Sequence, residues 1–172
     1  MSGMSSTEGK IETLVWIVKN NINSILDVGA GSGTYQHLLH SNGMKIDKLD
    51  ALEVWKPYIE QYSLASRYDR VIQEDARNHN DFDYDLVILG DVLEHMSKED
   101  AVALWSKVSG KAKHAIISIP IIHYPQGHLD GNPYEEHVKD DWTTEEVLET
   151  FEGIVDHQTF PTIGVFYATF RV

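Results

Sequence analysis

The stretch Ser24-Ile-Leu-Asp-Val-Gly-Ala-Gly-Ser-Gly-Thr34 decides the fold. Its apolar half, Ile25-Leu-Asp-Val28, reads as a buried strand. Gly29, Gly31 and Gly33 follow at once, and a helical pattern begins near Thr34. Glycines at such a junction let the backbone turn tightly and approach a ligand whose negative groups face the helix N-terminus. A tight strand-to-helix turn without a ligand would use the same residues. The spacing separates this loop from the dinucleotide fingerprint, which puts its third glycine or alanine three residues after the second. Thr34 occupies that place here, and Gly33 comes one residue early.

Outward from the loop, short apolar runs alternate with helical patterns. Ser24–Val28, Lys48–Val54, Arg70–Gln73, Asp85–Leu89 and Ala115–Ile122 read as strands, which predicts βαβ units and a parallel sheet. Ser97-Lys-Glu-Asp100 and Thr143-Thr-Glu-Glu146 each place an acid three residues after a capping hydroxyl and so predict helix starts. Ile154–Phe160 and Val165–Val172, separated by Pro161-Thr-Ile-Gly164, predict a terminal antiparallel hairpin. The expected fold is an α/β, doubly wound, mostly parallel seven-stranded sheet closed by that hairpin, in one domain spanning residues 1–172. Residues 1–10 are expected to be a flexible lead. Ile11, Leu14, Val15 and Val18 predict an amphipathic helix over 11–20 that packs on the domain. Residues 123–142, rich in Gly, Pro, His and acids, are the candidate substrate lid.

Composition narrows the function classes. The 172 residues hold 14 Lys plus Arg against 27 Asp plus Glu, a net charge of −13, whereas a phosphate-tracking surface wants the opposite sign. Nucleic acid is therefore an unexpected partner. There is no cysteine, no apolar run of membrane-spanning length and no secretory signal, which predicts a cytoplasmic protein that does not enter membranes. Oligomeric state is left open.

The run Asp27-x-Gly29-x-Gly31-x-Gly33 resembles motif I of the class I S-adenosylmethionine-dependent methyltransferases. Two more acids stand where that family needs them: Glu53 at the end of the second strand and Asp75 after the third. A carboxylate only accepts hydrogen bonds, which suits a ribose diol or an exocyclic amine. Open α/β sheets bind ligands at that carboxyl edge. The segment Tyr84-Asp-Leu-Val-Ile-Leu-Gly-Asp-Val-Leu-Glu-His95 resembles the fourth strand of small-molecule methyltransferases, including the ubiquinone-pathway O-methyltransferase type. The resemblance covers roughly residues 22 to 172. It implies a Rossmann-like methyltransferase that uses S-adenosyl-L-methionine and releases S-adenosyl-L-homocysteine. The cofactor-binding residues it implies are Asp27, Gly29, Ala30, Gly31, Gly33, Tyr35, Glu53, Val54, Asp75, Ala76, Gly90 and Asp91.

Methyl transfer to an activated carbon asks the protein mainly to align the acceptor and, where needed, remove its proton. His95, His123, His128 and His137 are candidate bases. The run Glu135-Glu-His137-Val-Lys-Asp-Asp-Trp142 resembles the stretch before the last helix of small-molecule methyltransferases, which puts His137 first and His95 second as catalytic residues. Asp91-x-x-Glu94-His95 with a later histidine also looks like the metal ligands of RNA 3′-end 2′-O-methyltransferases, but Asp91 replaces that family's Glu and the chain is acidic, so no metal is expected. Asn132-Pro-Tyr134 reads as a turn. Trp55, Tyr58, Tyr124, Tyr134 and Trp142 are candidates for the pocket wall. The predicted activity is methyl transfer to an oxygen or nitrogen of a small molecule. A silent cofactor-binding module, an NAD-dependent oxidoreductase and a metal-assisted RNA 2′-O-methyltransferase are the alternatives.

Overall fold

Ile25, Leu26 and Val28 are all fully buried, and that double-sided burial puts their strand in the middle of a sheet. In the computed structural model, which describes residue 3 and residues 6–170, this strand, β1 (Ser24–Val28), pairs in parallel with β2 (Lys48–Leu52) on one side and β4 (Leu86–Gly90) on the other. Outside them lie β3 (Arg70–Ile72), parallel to β2, and β5 (His114–Pro120), parallel to β4. The antiparallel hairpin of β6 (Ile154–Thr159) and β7 (Ile163–Thr169) completes the order β3-β2-β1-β4-β5-β7-β6. The seven-stranded mostly parallel sheet with a terminal hairpin is thus the observed fold.

Alternation along the strands divides the core in two. Leu26, Val28, Val87, Leu89 and Ile117 face Leu104 and Trp105 of α4 (Lys98–Ser109) and Val147 of α5 (Thr144–Thr150). Ile25, Leu86, Ile88 and Ile116 face Ile17 of α1 (Lys10–Lys19) and Tyr35 and Leu39 of α2 (Thr34–Ser41). The short α3 (Lys56–Gln61) joins β2 to β3. Both predicted caps form: Ser97 Oγ accepts from the Asp100 N–H at 3.1 Å, and Thr143 Oγ1 from the Glu146 N–H at 3.1 Å.

The strands differ from their predicted bounds by a residue or two. Glu53 and Val54 lie past the end of β2, and β7 begins at Ile163, so Gly164 pairs with Ile119 within the sheet instead of turning the hairpin. Glu8 makes the shorter turn possible, because its carboxylate accepts from Thr162 Oγ1 at 2.8 Å and from the Thr162 and Ile163 N–H groups. The predicted tail of the last strand, Arg171 and Val172, lies outside the described residues.

Helix α1 packs on the domain, but by a face shifted from the one expected. Of Ile11, Leu14, Val15 and Val18, Leu14 packs on the core, whereas Ile11 and Val18 are 72% and 62% exposed and Val15 is 47% exposed, while Lys10, Thr13 and Ile17 are buried. The helix is rotated because its polar members find partners: Lys10 donates to the Tyr35 hydroxyl at 2.9 Å, and Thr13 to the Gly9 carbonyl at 2.9 Å. Trp16 then stacks on Tyr167, with ring centroids 5.6 Å apart. The lead before the helix, where described, is tied down by Glu8 and by the Gly3 carbonyl, which accepts from the Ser32 N–H at 2.7 Å. No helix among the described residues is long and apolar enough to cross a membrane.

Candidate functional site

A cavity opens at the carboxyl edge of β1, β2, β3 and β4, lined by Gly29, Gly31, Glu53, Val54, Asp75, Ala76, Gly90 and Asp91 together with Tyr58, His95, Met96, Tyr134 and Glu135. Eight of the residues assigned to a cofactor from sequence thus meet in one place. The loop between β1 and α2 builds its floor. Gly29 and Gly31 have φ of +65° and +52°, and a Cβ on Gly31 would strike the Gly3 carbonyl, so this backbone is bare by necessity.

Three groups pin the loop. The buried Glu53 accepts the Gly31 N–H at 2.9 Å through one oxygen and the Trp55 N–H at 2.7 Å through the other, and burial raises its pKa. Arg67 donates to the carbonyls of Ser32 at 2.7 Å and Gly33 at 2.8 Å from below. Gly3 holds Ser32 from above. Sequence reasoning missed Arg67 and Gly3, since neither belongs to a motif.

The remaining cofactor candidates stand behind the wall. Asp27 accepts the Tyr68 hydroxyl at 2.6 Å, and burial pushes its pKa up to about 7 against that hydrogen bond and the nearby Lys10 ammonium. Tyr35 lies beneath Gly90, where a Cβ would run into its ring. Ala30 packs among Ala51, Leu64 and Tyr68. Gly33, with φ +74°, sits against the Arg67 guanidinium. These four shape the site without lining it. Asp75 does line it, but its carboxylate is held by Arg77 at 2.6 Å, which keeps its pKa low.

The fourth strand ends in strain and in carboxyl groups without hydrogen-bond partners among the described residues. Asp91 takes φ +54°, a region costly for a residue with a Cβ. Both its carboxylate oxygens are buried with no hydrogen-bond partner among the described residues. The same holds for Glu94, which is 1% exposed, and whose pKa is raised well above the ordinary range by burial and by Asp91. Buried acceptors left open in this way call for a donor or a cation.

A second cavity adjoins the first, lined by Ser6, Glu94, Pro120, Ile122, Tyr124, Gln126, Leu129, Thr162 and Ile163, and sharing Gly3, Asp91, His95 and Glu135 with it. No Lys or Arg is among these described residues. The segment 123–142 forms much of this region. Its carbonyls fix both candidate bases: Tyr124 O lies 2.6 Å from His137 Nδ1, and Glu136 O lies 3.1 Å from His95 Nδ1. The two rings stand 4.9 Å apart, and the donor atoms of Glu94, His95 and His137 lie within 4.8 Å of one another. Burial lowers the pKa of His95. His123 and His128 point elsewhere, to Asp140 and Glu136, each at 3.3 Å. Of the aromatic candidates, Tyr58 and Tyr134 line the first cavity and Tyr124 the second, whereas Trp142 is core and Trp55 lines neither.

The family model described as a methyltransferase domain matches residues 26–117, more than half of the chain. The chain belongs to the class I methyltransferase family. Among solved structures, this methyltransferase is similar to an S-adenosylmethionine-dependent methyltransferase from Clostridium acetobutylicum, with a TM-score of 0.72 and 14% identity over 95% of this chain and 91% of that one. It is also similar to the magnesium protoporphyrin IX methyltransferase of Synechocystis with bound SAM, with a TM-score of 0.67 and 15% identity over 95% of this chain and 79% of that one. At such identities the likeness concerns the fold. No curated protein matches the sequence.

Proposed function

We propose that this methyltransferase transfers a methyl group from S-adenosylmethionine to an oxygen or nitrogen of a small neutral or cationic molecule in the cytoplasm. One observation carries the reading: two cavities share the wall made by Asp91, His95 and Glu135, so that a donor in one meets an acceptor in the other.

The residues present fit the cofactor. The left-handed turns at Gly29 and Gly31, where a Cβ would strike Val92 and the Gly3 carbonyl, bring the bare loop backbone to the cavity wall, and the Asp91 carboxylate, without a hydrogen-bond partner among the described residues, suits an ammonium. Glu53 keeps lone pairs free for ribose hydroxyls beyond those that hold the loop. Asp75 and Ala76 line the place for the adenine edge, with Arg77 fixing the direction of the Asp75 carboxylate. When bound, S-adenosylmethionine supplies a methyl group activated by its sulfonium.

The chain's own part is alignment and proton removal. With its Nδ1 beside the Tyr124 carbonyl, His137 carries its proton there and leaves Nε2 as the accepting atom, which supports its role as base. His95, 4.9 Å away ring to ring, is held in the same way. The acid-lined second cavity, without Lys or Arg among its described residues, disfavours anionic acceptors, RNA included. In the first cavity Glu53, Glu74, Asp75, Asp91 and Glu135 stand against Arg77, which speaks against the pyrophosphate of NAD.

Titration calorimetry tests the donor half: S-adenosylhomocysteine should bind and NADH should not. The opposite result would sink the reading. A panel of uncharged hydroxyl and amine acceptors, followed by S-adenosylhomocysteine formation, tests the acceptor half. Turnover confined to phosphorylated or carboxylated acceptors would refute the charge argument, and no turnover at all would favour a silent binding module.

A further inference from the structure

Glu94, His95 and His137 present the donor set of a metal centre. Each residue offers one ligand atom, and these atoms all lie within 4.8 Å of one another. The geometry points to a divalent transition-metal site made of the Glu94 carboxylate and the two imidazole Nε2 atoms, beside the wall that separates donor from acceptor.

Three independent features converge on this assignment. First, both Nδ1 atoms are taken by backbone carbonyls, Tyr124 O at 2.6 Å and Glu136 O at 3.1 Å. A ring that donates from Nδ1 to a carbonyl has its Nε2 lone pair bare and its plane fixed, which is the way ligating histidines are oriented. Second, Glu94 is 1% exposed and neither of its carboxyl oxygens has a hydrogen-bond partner among the described residues, although the Lys139 N–H binds the Glu94 backbone carbonyl at 3.0 Å. The fold pins this residue's backbone and leaves its carboxyl group without a partner among the described residues. Third, the ligands come from two separate pieces of chain, the turn after β4 and the segment 123–142, so one cation would close the acceptor cavity by joining them.

Two nitrogens and one carboxylate suit a borderline cation such as Zn²⁺, Mn²⁺, Fe²⁺ or Co²⁺ better than Mg²⁺ or Ca²⁺, which favour all-oxygen sets. Three protein ligands leave positions open for the acceptor. The inference rests on the methyltransferase reading only for what fills them. A hydroxyl oxygen seated on the cation would release its proton to cavity water more readily, which narrows the acceptor from oxygen or nitrogen to a hydroxyl. With the cation bound, His95 and His137 act as its ligands, and the base role proposed above for His137 is that of the metal-free chain.

The test is titration of the chelator-treated full chain with Co²⁺, followed by visible absorption, with Zn²⁺ as competitor. One equivalent should bind with the intense bands of a four- or five-coordinate site, and Zn²⁺ should abolish them. His137→Ala and Glu94→Gln should each weaken binding by about 100-fold, and His128→Ala should not change it. His137 lies in a loop, so its variant reports even if Glu94→Gln fails to fold by circular dichroism. No stoichiometric Co²⁺ binding, or equal binding by wild type and His137→Ala, overturns the site. S-adenosylhomocysteine calorimetry on the metal-free chain separates the two ideas. Cofactor binding without cation binding removes only the metal, and cation binding without cofactor binding removes only the methyltransferase reading.

Discussion

Replacing Glu53 by Ala probes the cofactor loop most directly, because this one carboxylate ties the loop to the end of β2. It accepts from Gly31 at 2.9 Å and Trp55 at 2.7 Å, and it lines the cavity at 5% exposure. A hydrogen bond to a charged group contributes about 1.5 to 3 kcal/mol, and a buried donor left without a partner costs about 1 to 3 kcal/mol. Water entering the space left by the side chain would recover part of both losses. The cofactor also loses the acceptor proposed for its ribose. We expect S-adenosylhomocysteine affinity to fall by about 1 to 3 kcal/mol, or about 5- to 150-fold in Kd. Glu53→Gln sharpens the case, since its amide has one acceptor oxygen and would turn an NH₂ toward one of the two N–H groups. It should lie between wild type and Ala. Calorimetric titration of the three proteins is the assay, with thermal unfolding run alongside to show that each is folded. A Kd for Glu53→Ala within twofold of wild type would refute the assignment of this carboxylate to the site.

Asp27 should make stability pH-dependent. Its folded pKa of about 7 lies above the ordinary 3.8, so the folded state holds a proton that the unfolded chain has released between those values. The contribution is fully present below about pH 4 and is lost as pH rises through 7, up to roughly 4 kcal/mol. Asp27→Asn should flatten that part of the melting-temperature profile, and an unchanged slope would show that another group is responsible. Gly90→Ala should drive a methyl into the Tyr35 ring and cost about 1 to 3 kcal/mol in urea unfolding, and Tyr35→Leu should restore part of it. If the single change is neutral, the packing of Tyr35 under β4 is wrong. His137→Ala should lower turnover by about 10²- to 10⁴-fold and leave S-adenosylhomocysteine affinity intact. Equal activity would remove His137 from the reaction.

What could be read from the sequence was local. The glycine spacing after Val28, the acids at the next two strand ends and the two capping hydroxyls are patterns within a few residues, and each appears in the structure where the spacing puts it. What failed depended on partners distant in the chain. Of the apolar stripe Ile11, Leu14, Val15 and Val18, Leu14 packs on the core, but the other three give way to Lys10 and Thr13, which Tyr35 and Gly9 satisfy. Arg67 and Tyr68 carry no motif, yet they hold the loop and Asp27 from the segment before β3. Strand ends slipped where a side chain outside the sheet decided them, as Glu8 does at the final turn. His95 and His137 were legible as candidates one at a time. Their approach to 4.9 Å, and the carbonyls that aim them, come from the folding of the segment 123–142 over the turn after β4.

The unpaired Asp91 carboxylate also discriminates in time. In the proposed reaction the donor arrives with a sulfonium in addition to its ammonium and leaves with the ammonium alone, so a carboxylate in the wall of the same cavity should favour the spent form less than the fresh one. The spent cofactor should therefore leave this cavity more readily than the fresh one. Because the carboxylate is shielded from solvent, that advantage should persist in concentrated salt.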